Sequence, residues 1–271
     1  MKFDDKAYDF SNIPKLSEED SKSPFAEFYY APVTPPAPDI AKAYGEEQLP
    51  VSDTLDFGDI ERIFLQQPGL KNGWCILPDG TAYSSIETTM PEVSLEIESW
   101  WNNWIMDSSY NWLNYRIWIP GLHKSHAMPI MENLGWGMCE ITMFQPLFPS
   151  ILLKGRRPEG LNDNFVAEMG ASGFNVLCDD PEKNKFYSTL ISCIKKDGDG
   201  IKVQTVNYMG MKWEDGRMLK VHDVEPERAR LFLMHNAYEF HHKAEIATAL
   251  YEKAKTLPNR GLNPNIKPIL P

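Results

Sequence analysis

The chain lacks several features that would assign it to a common class of protein. It has only four cysteines in 271 residues, and none is spaced Cys-x-x-Cys, so neither a zinc knuckle nor a disulfide framework is expected. No stretch approaches the roughly 18 apolar residues that span a bilayer, and the start MKFDDKAYDF has no apolar core of a signal peptide. We therefore expect a cytoplasmic protein.

Positive charge is also scarce. Lys and Arg number 27 against 38 Asp and Glu, a formal net charge of −11, and this balance disfavours nucleic acid and anionic membranes as partners. The sequence contains no GxGxxG, P-loop, GxSxG or HExxH motif. It therefore lacks the motifs of common nucleotide-binding proteins, serine hydrolases and zincin metalloproteases. A small-molecule partner is expected, and homodimerisation is left open.

What the chain does have is an apolar, aromatic-rich composition and two regions of different pattern. Hydrophobic residues make up 42% and eight residues are tryptophan, which indicates a folded interior. Residues 1–72 are rich in proline and acid, and PVTPPAPDI at 32–40 is expected to be extended, because each proline fixes its own φ and restricts the residue before it. We predict an N-terminal proline-rich and helical segment at 1–72 that wraps a folded domain at 73–271.

Within 73–271, strand patterns precede one long helix. A hairpin is predicted around Pro78-Asp79-Gly80, followed by a helix that begins at the N-cap Ser94 and buries its tryptophans. Further strands are predicted at 115–144 (two strands around a loop, the first containing YRIWI), 174–178, 186–194 and 201–213, with a turn at 197–200. From Pro226 to Thr256 about 30 residues without Gly or Pro predict a helix of about 45 Å. This order predicts an α+β fold in which a curved antiparallel sheet grips the helix.

The long helix carries two His-x-x-x-Glu pairs, His235 with Glu239 and His241 with Glu245. Residues four apart share a helix face, so either pair could present an imidazole and a carboxylate to one metal ion. The helical wheel predicts that the first pair lies on a buried face with Phe232, Leu250 and Ala249, and the second on a wet one. A buried His and Glu must be paired or metal-bound, so an ion pair without metal is an equal alternative.

Further ligands would have to come from the strand region. His123 and His126 follow YRIWI, and Glu132 and Glu140 are the acidic residues of IMENLGWGMCEITMF. A set of two histidines with one or two glutamates suits zinc, whose open position can activate water, although manganese and iron accept the same donors.

Four segments in order resemble one known family: MPEVSLEIESWWNNW (90–104), YRIWIPGLH (115–123), MENLGWGMCEITMFQP (131–146) and PERARLFLMHNAYEF (226–240). They are similar to the zinc-dependent diacetylphloroglucinol and phloretin hydrolases. The resemblance implies a Bet v1-like helix-grip fold with a smaller N-terminal part. It also implies that Zn²⁺ is held by His123, Glu132, His235 and Glu239, and that Tyr115 and a last-strand tyrosine, here Tyr208, belong to the site.

The sequence departs from that family in three places. Ile105 and Ser192 stand where relatives carry histidines, and the loop between His123 and Glu132 is shorter than in the diacetylphloroglucinol branch. The match of Glu132 therefore rests on the local Glu-x-x-Gly segment, with Glu140 as the alternative. These differences favour another substrate, of which phloretin is the nearest candidate.

Two hypotheses follow from the sequence. The first is a zinc hydrolase that cleaves the carbon–carbon bond between a phloroglucinol ring and its acyl group, with Tyr115, Tyr208 or His126 handling ring protons. The second is a non-catalytic carrier of hydrophobic ligands, because helix-grip folds commonly enclose a cavity and a fold alone does not fix function. The carrier would leave His235 and Glu239 unexplained.

Overall fold

The computed structural model describes residues 10–59, 63, 69–105, 107, 109–123, 139–143, 169–180, 184–214 and 217–264. It shows an α+β fold built on a curved, unclosed antiparallel sheet and a long C-terminal helix, as expected. The six strands of this sheet are β1 (Gly73–Ile76), β2 (Ala82–Met90), β3 (Cys139–Met143), β4 (Met169–Asp180), β5 (Asn184–Asp197) and β6 (Gly200–Met209). They lie in the order β1-β2-β6-β5-β4-β3, and a separate two-stranded sheet pairs β7 (Met211–Glu214) with β8 (Arg217–Lys220).

The sequence predicted most of these strands. The hairpin of β1 and β2 is present, and β5 and β6 join at the predicted turn, where Asp197 pairs with Gly200. The predicted strand at 201–213 is divided at Gly210, which has φ +76° and whose N–H donates to Tyr187 O. A side chain there would collide with the carbonyl of His222, so this close approach requires glycine.

The described helices are α1 (Pro38–Ala43), α2 (Leu95–Trp104), α3 (Ser109–Trp118) and α4 (Pro226–Lys255). Ser94 caps α2 as predicted, because its side chain accepts a hydrogen bond from Ile97 N. The tryptophans of α2 are buried against α4 and the N-terminal segment, Trp100 and Trp104 both contacting Phe25. Segment 32–40 is extended only as far as Ala37, because Pro38 occupies the first position of α1.

The expectation of a strand through YRIWI was wrong, since 115–118 form the end of α3. Leu113 and Ile117, one helical turn apart, are both fully buried in the cluster around the α2 tryptophans. The Asn114 amide also donates to Trp104 O, 3.0 Å away. The alternating aromatic and β-branched residues are typical of a strand. Burial of Leu113 and Ile117, four residues apart, instead favours a helix. The second strand predicted in this region, β3, is present.

Helix α4 lies on one face of the sheet, which we call the inner face. Ala82, Ile86 and Met209 pack from the sheet against Phe232 and Leu233 of the helix. The alternate residues Tyr83, Val206 and Tyr208 form a cluster on the outer face with Leu55 of the N-terminal segment. In the described residues, no helix is both long and apolar enough to cross a membrane.

Burial along α4 follows the predicted wheel only in part. His235 and Glu239 are buried and His241 is half-buried, but Ala249, expected on the buried face, is exposed. Every residue from 232 to 240 is buried, because the helix is covered by the sheet on one side and by α2 and α3 on another. The segment 232–240 therefore has no solvent-exposed face.

Candidate metal centre

Three side chains from two elements meet between α3 and α4. His123 follows the end of α3, and His235 and Glu239 lie one turn apart on α4. The two imidazoles approach with Nε2 atoms 3.2 Å apart, and each Nε2 lies 3.5 Å from Glu239 Oε2. The three potential ligand atoms therefore form a nearly equilateral triangle.

Burial controls the protonation of this cluster. Removal from water lowers the pKa of His123 to about 3, although a hydrogen bond to the Tyr115 backbone opposes the change. Burial likewise lowers the pKa of His235 to about 4, partly offset by the Glu239 charge. The pKa of Glu239 is raised by burial, against the opposing effects of His235, Asn236 and Lys243. Both imidazoles are thus neutral at pH 7, the form that ligates metals.

Tyr115 fixes the orientation of His123. The Nδ1 of His123 lies 3.1 Å from Tyr115 O, and because a carbonyl only accepts, Nδ1 carries the proton and Nε2 presents its lone pair to the cluster. The phenol ring stacks on the imidazole with centroids 4.1 Å apart and planes inclined by 1°. Burial, and secondarily the Glu239 charge, raises the pKa of Tyr115, so its hydroxyl stays protonated at neutral pH.

Two residues that the sequence did not identify as supports of the metal ligands hold Glu239. The Asn236 amide donates to Glu239 Oε1 at 2.9 Å, and the Trp118 indole N–H donates to the Glu239 backbone carbonyl at 2.8 Å. Trp118 also packs edge-on against the His123 ring. Asn236 could have been found from the helix, because it lies three residues before Glu239 on a buried face.

The donor set and its spacing fit a metal ion. Zinc lies about 2.0–2.2 Å from histidine nitrogen and carboxylate oxygen, and a tetrahedral arrangement then sets ligand atoms about 3.3–3.6 Å apart. The observed separations of 3.2, 3.5 and 3.5 Å are close to this range. Two neutral imidazoles and a carboxylate at these separations match the donor types and spacing that zinc requires, and manganese and iron accept the same donors.

The other residues proposed from the sequence fall elsewhere. His126 and Glu132 lie outside the described residues, as does the side chain of Glu140, whose backbone pairs with Leu177 in the sheet. Tyr208 is on the outer face of β6, where its hydroxyl donates to Leu55 O at 2.9 Å. The structure therefore does not bring Tyr208 to this cluster.

The second His-x-x-x-Glu pair forms no comparable cluster. His241 Nε2 lies 3.6 Å from Glu245 Oε1, both side chains are partly exposed, and Thr34 contacts both. Among the residues that the structure describes, only His123, His235 and Glu239 form a group of three potential ligands. The geometry favours the pair that the helical wheel selects.

Part of the chain matches a known family model. The family model described as DAPG hydrolase PhiG domain, DAPG being diacetylphloroglucinol, matches residues 55–138. A search of curated proteins gives no match. The domain match includes His123 and stops before α4, so it carries no information about His235 and Glu239. It supports the family of diacetylphloroglucinol and phloretin hydrolases and, in general, a function of the carbon–carbon hydrolase type.

Proposed function

We propose that this chain, as a member of the diacetylphloroglucinol hydrolase family, is a zinc-dependent hydrolase that cleaves the bond between a phloroglucinol ring and its acyl carbonyl. The observation that carries the proposal is the buried triangle of His123, His235 and Glu239. Buried groups of this kind need a charge or hydrogen-bond partner, and a carrier of hydrophobic ligands gives them no role.

The reaction explains why such a site is needed. The aryl–acyl bond breaks only if the ring carbon is protonated, because an aryl carbanion is a poor leaving group. One water molecule is consumed in the cleavage: its proton is added to the ring carbon and its hydroxide to the acyl carbon. The products are therefore phloroglucinol and a carboxylic acid. A bound zinc ion would polarise the acyl oxygen or lower the pKa of water toward about 7.

The residues of the chain have separate parts in this proposal. His123, His235 and Glu239 hold the metal, and Glu132 is proposed as the fourth ligand. The hydroxyl of Tyr115, protonated at neutral pH, donates to the ring carbon as a general acid, with His126 as the alternative donor. Trp118 and Tyr115 enclose His123 and exclude water from that side.

We propose phloretin as the substrate. Ser192, in place of a histidine of the diacetylphloroglucinol branch, lies on the inner face, where its hydroxyl is 3.1 Å from that of Thr205. A serine leaves more room than a histidine, and phloretin carries a larger acyl group than diacetylphloroglucinol. We also propose a Bet v1-like helix-grip fold for 73–271, with 1–72 as the smaller part, in a cytoplasmic enzyme of flavonoid degradation.

Incubation of the purified protein with phloretin tests this function. Release of phloroglucinol and phloretic acid, together with about one zinc ion per chain by elemental analysis, is the expected result. His235→Ala should abolish both, while the matched variant His241→Ala, on the half-buried side of the same helix, should retain both. A folded wild type that binds phloretin without cleaving it and holds no metal would instead identify a carrier, and loss of metal only with His241→Ala would show that the second pair is the ligand pair.

A further inference from the structure

A row of polar side chains crosses the contact between the sheet and α4. Asn207 of β6 and Asn236 of α4 are 0% and 1% exposed. Their neighbours along the inner face are Ala82, Ile86 and Met209. Buried amides in such surroundings are stabilised by hydrogen bonds, and these are made at every polar atom of the two amides except Asn207 Oδ1.

From Asn207 to Glu239, each amide of this row donates to the next residue. The Nδ2 of Asn207 donates to Ser84 Oγ at 3.0 Å and to Asn236 Oδ1 at 2.8 Å. The Nδ2 of Asn236 donates in turn to Glu239 Oε1 at 2.9 Å. An ionised carboxylate only accepts, so Asn236 must present its nitrogen to Glu239 and its oxygen to Asn207. Asn207 donates to that oxygen and so stabilises this orientation of the Asn236 amide.

This arrangement divides the two oxygens of Glu239 between two tasks. Oε1 is held by Asn236, while Oε2 is the oxygen that lies 3.5 Å from both imidazole nitrogens. Without the amide, the carboxylate could rotate about its terminal torsion, which has broad preferences, and turn either oxygen away from the histidines.

We propose that Asn207 and Asn236 form an amide relay that orients Glu239 as a one-oxygen metal ligand. Both are positioning residues: Asn236 contacts the ligand and Asn207 acts through Asn236. The relay connects β6 to the metal centre through α4, so the position of the ligand depends on the packing of helix against sheet. The proposal rests on the metal site of the proposed function but not on its substrate.

A purely structural role for the two amides is the competing explanation, and the chain offers a matched control for it. Gln204 lies on the same strand, is 3% exposed and donates to Ser85 Oγ at 2.8 Å. It faces the outer side of the sheet, because it is an odd number of residues from Asn207. Removing it deletes a buried amide hydrogen bond without touching the relay.

The test is a titration of metal-free protein with Co²⁺, followed by visible absorption, and with Zn²⁺ against a competing chelator. Asn236→Ala should bind both metals about 10- to 100-fold more weakly, as is typical for loss of a partner that orients a ligand, with a changed Co²⁺ spectrum. Asn207→Ala should weaken binding less, and the double variant should bind no more weakly than Asn236→Ala alone, because Asn207 acts only through Asn236. Gln204→Ala should bind as wild type.

The relay is overturned if Asn236→Ala binds Co²⁺ as wild type, if Gln204→Ala weakens binding equally, or if the losses in the double variant add. Asn236→Asp keeps the acceptor for Asn207 but loses the donor to Glu239, so it tests the same contact at equal size and should also weaken binding. Urea unfolding identifies any variant that is only destabilised. Cleavage of phloretin by wild type is measured separately, so a wild type that binds Co²⁺ without cleaving phloretin contradicts the substrate and leaves the relay supported.

Discussion

At the residue scale, Tyr115 has two separable functions in the proposed site. Its backbone carbonyl and its ring hold His123, and neither depends on the hydroxyl. The hydroxyl is the proposed proton donor. A substitution that removes only the oxygen can therefore distinguish support of the metal from chemistry.

Tyr115→Phe is expected to retain the fold and the zinc while turnover of phloretin falls about 10²- to 10⁴-fold, the usual effect of losing a general acid. Turnover and bound zinc are measured on the same preparation. The control is Tyr208→Phe, which removes the hydroxyl of an equally buried tyrosine on the outer face and should leave turnover unchanged. Loss of zinc in Tyr115→Phe would make the hydroxyl part of the metal support, and unchanged turnover would make His126 the next donor to test.

The fourth metal ligand is a choice between two glutamates. Glu132 is favoured by its Glu-x-x-Gly segment, and Glu140 lies in β3, where its backbone pairs with Leu177. We expect Glu132→Gln to weaken zinc binding, measured against a chelator, by about 10-fold or more. Changing a residue that only contacts a ligand already costs about 10-fold, so loss of a direct ligand should cost at least that much. Glu140→Gln is the matched control, and an equal or larger loss in that variant would contradict the alignment.

At the element scale, α2 and α4 are joined by a buried ion pair that the sequence did not reveal. Lys243 Nζ lies 2.5 Å from Glu98 Oε2, with side chains 2% and 6% exposed. Asn102 donates to the other oxygen of Glu98 at 2.9 Å, and Lys243 lies over the Trp101 ring. Lys243 is also one turn beyond Glu239, so this pair holds the helix segment that carries the site.

Removing one member of this pair should destabilise the protein strongly, because the other becomes a buried charge without a partner. We expect Lys243→Met to lower the free energy of unfolding by about 3–5 kcal/mol, and the double variant Lys243→Met/Glu98→Gln to recover much of that loss. Urea unfolding of the single and double variants measures the coupling. Strictly additive losses would show that the two charges do not stabilise each other.

The elements also show where sequence reasoning succeeds. The hairpin of β1 and β2, the cap at Ser94 and the length of α4 depend on local signals, and all were predicted. Helix α3 was missed, because its type is decided by burial of Leu113 and Ile117 against a distant cluster. Burial of Lys243 was missed for a similar reason. A helical wheel shows only one helix, and the carboxylate that pairs with Lys243 is Glu98 of α2.

At the scale of the whole molecule, the candidate site joins segments that are far apart in sequence. His235 and Glu239 could be chosen from a helical wheel, and His123 from its family motif. Asn207 could not be identified, because its role depends on the register that sets β6 opposite Asn236. The division of the chain at residue 72 stays a prediction.

Acid should destabilise the whole molecule through its buried histidines, and His242 allows this to be tested away from the metal ligands. Its ring is 0% exposed, and Nδ1 lies 3.8 Å from Glu245 Oε2, beyond hydrogen-bond distance. Burial lowers the pKa of His242 to about 4, with Glu245 opposing the change. The unfolded chain takes up this proton near the ordinary value of about 6.5, so unfolding gains a proton between these two values.

The free energy of unfolding should therefore fall as pH drops from about 7 to about 4, with His242 contributing up to about 3 kcal/mol. In His242→Gln, which cannot be protonated, the fall should be smaller by about that amount, whatever the stability of the variant at pH 7. Urea unfolding across this range, in chelator to keep the metal site empty in every sample, measures the slope. His241→Gln is the matched control, because it removes a neighbouring imidazole that is only partly buried. A slope in His242→Gln equal to that of wild type would show that this histidine is already protonated in the fold or stays hydrated there. Acid sensitivity would then come from other groups, such as His123 and His235.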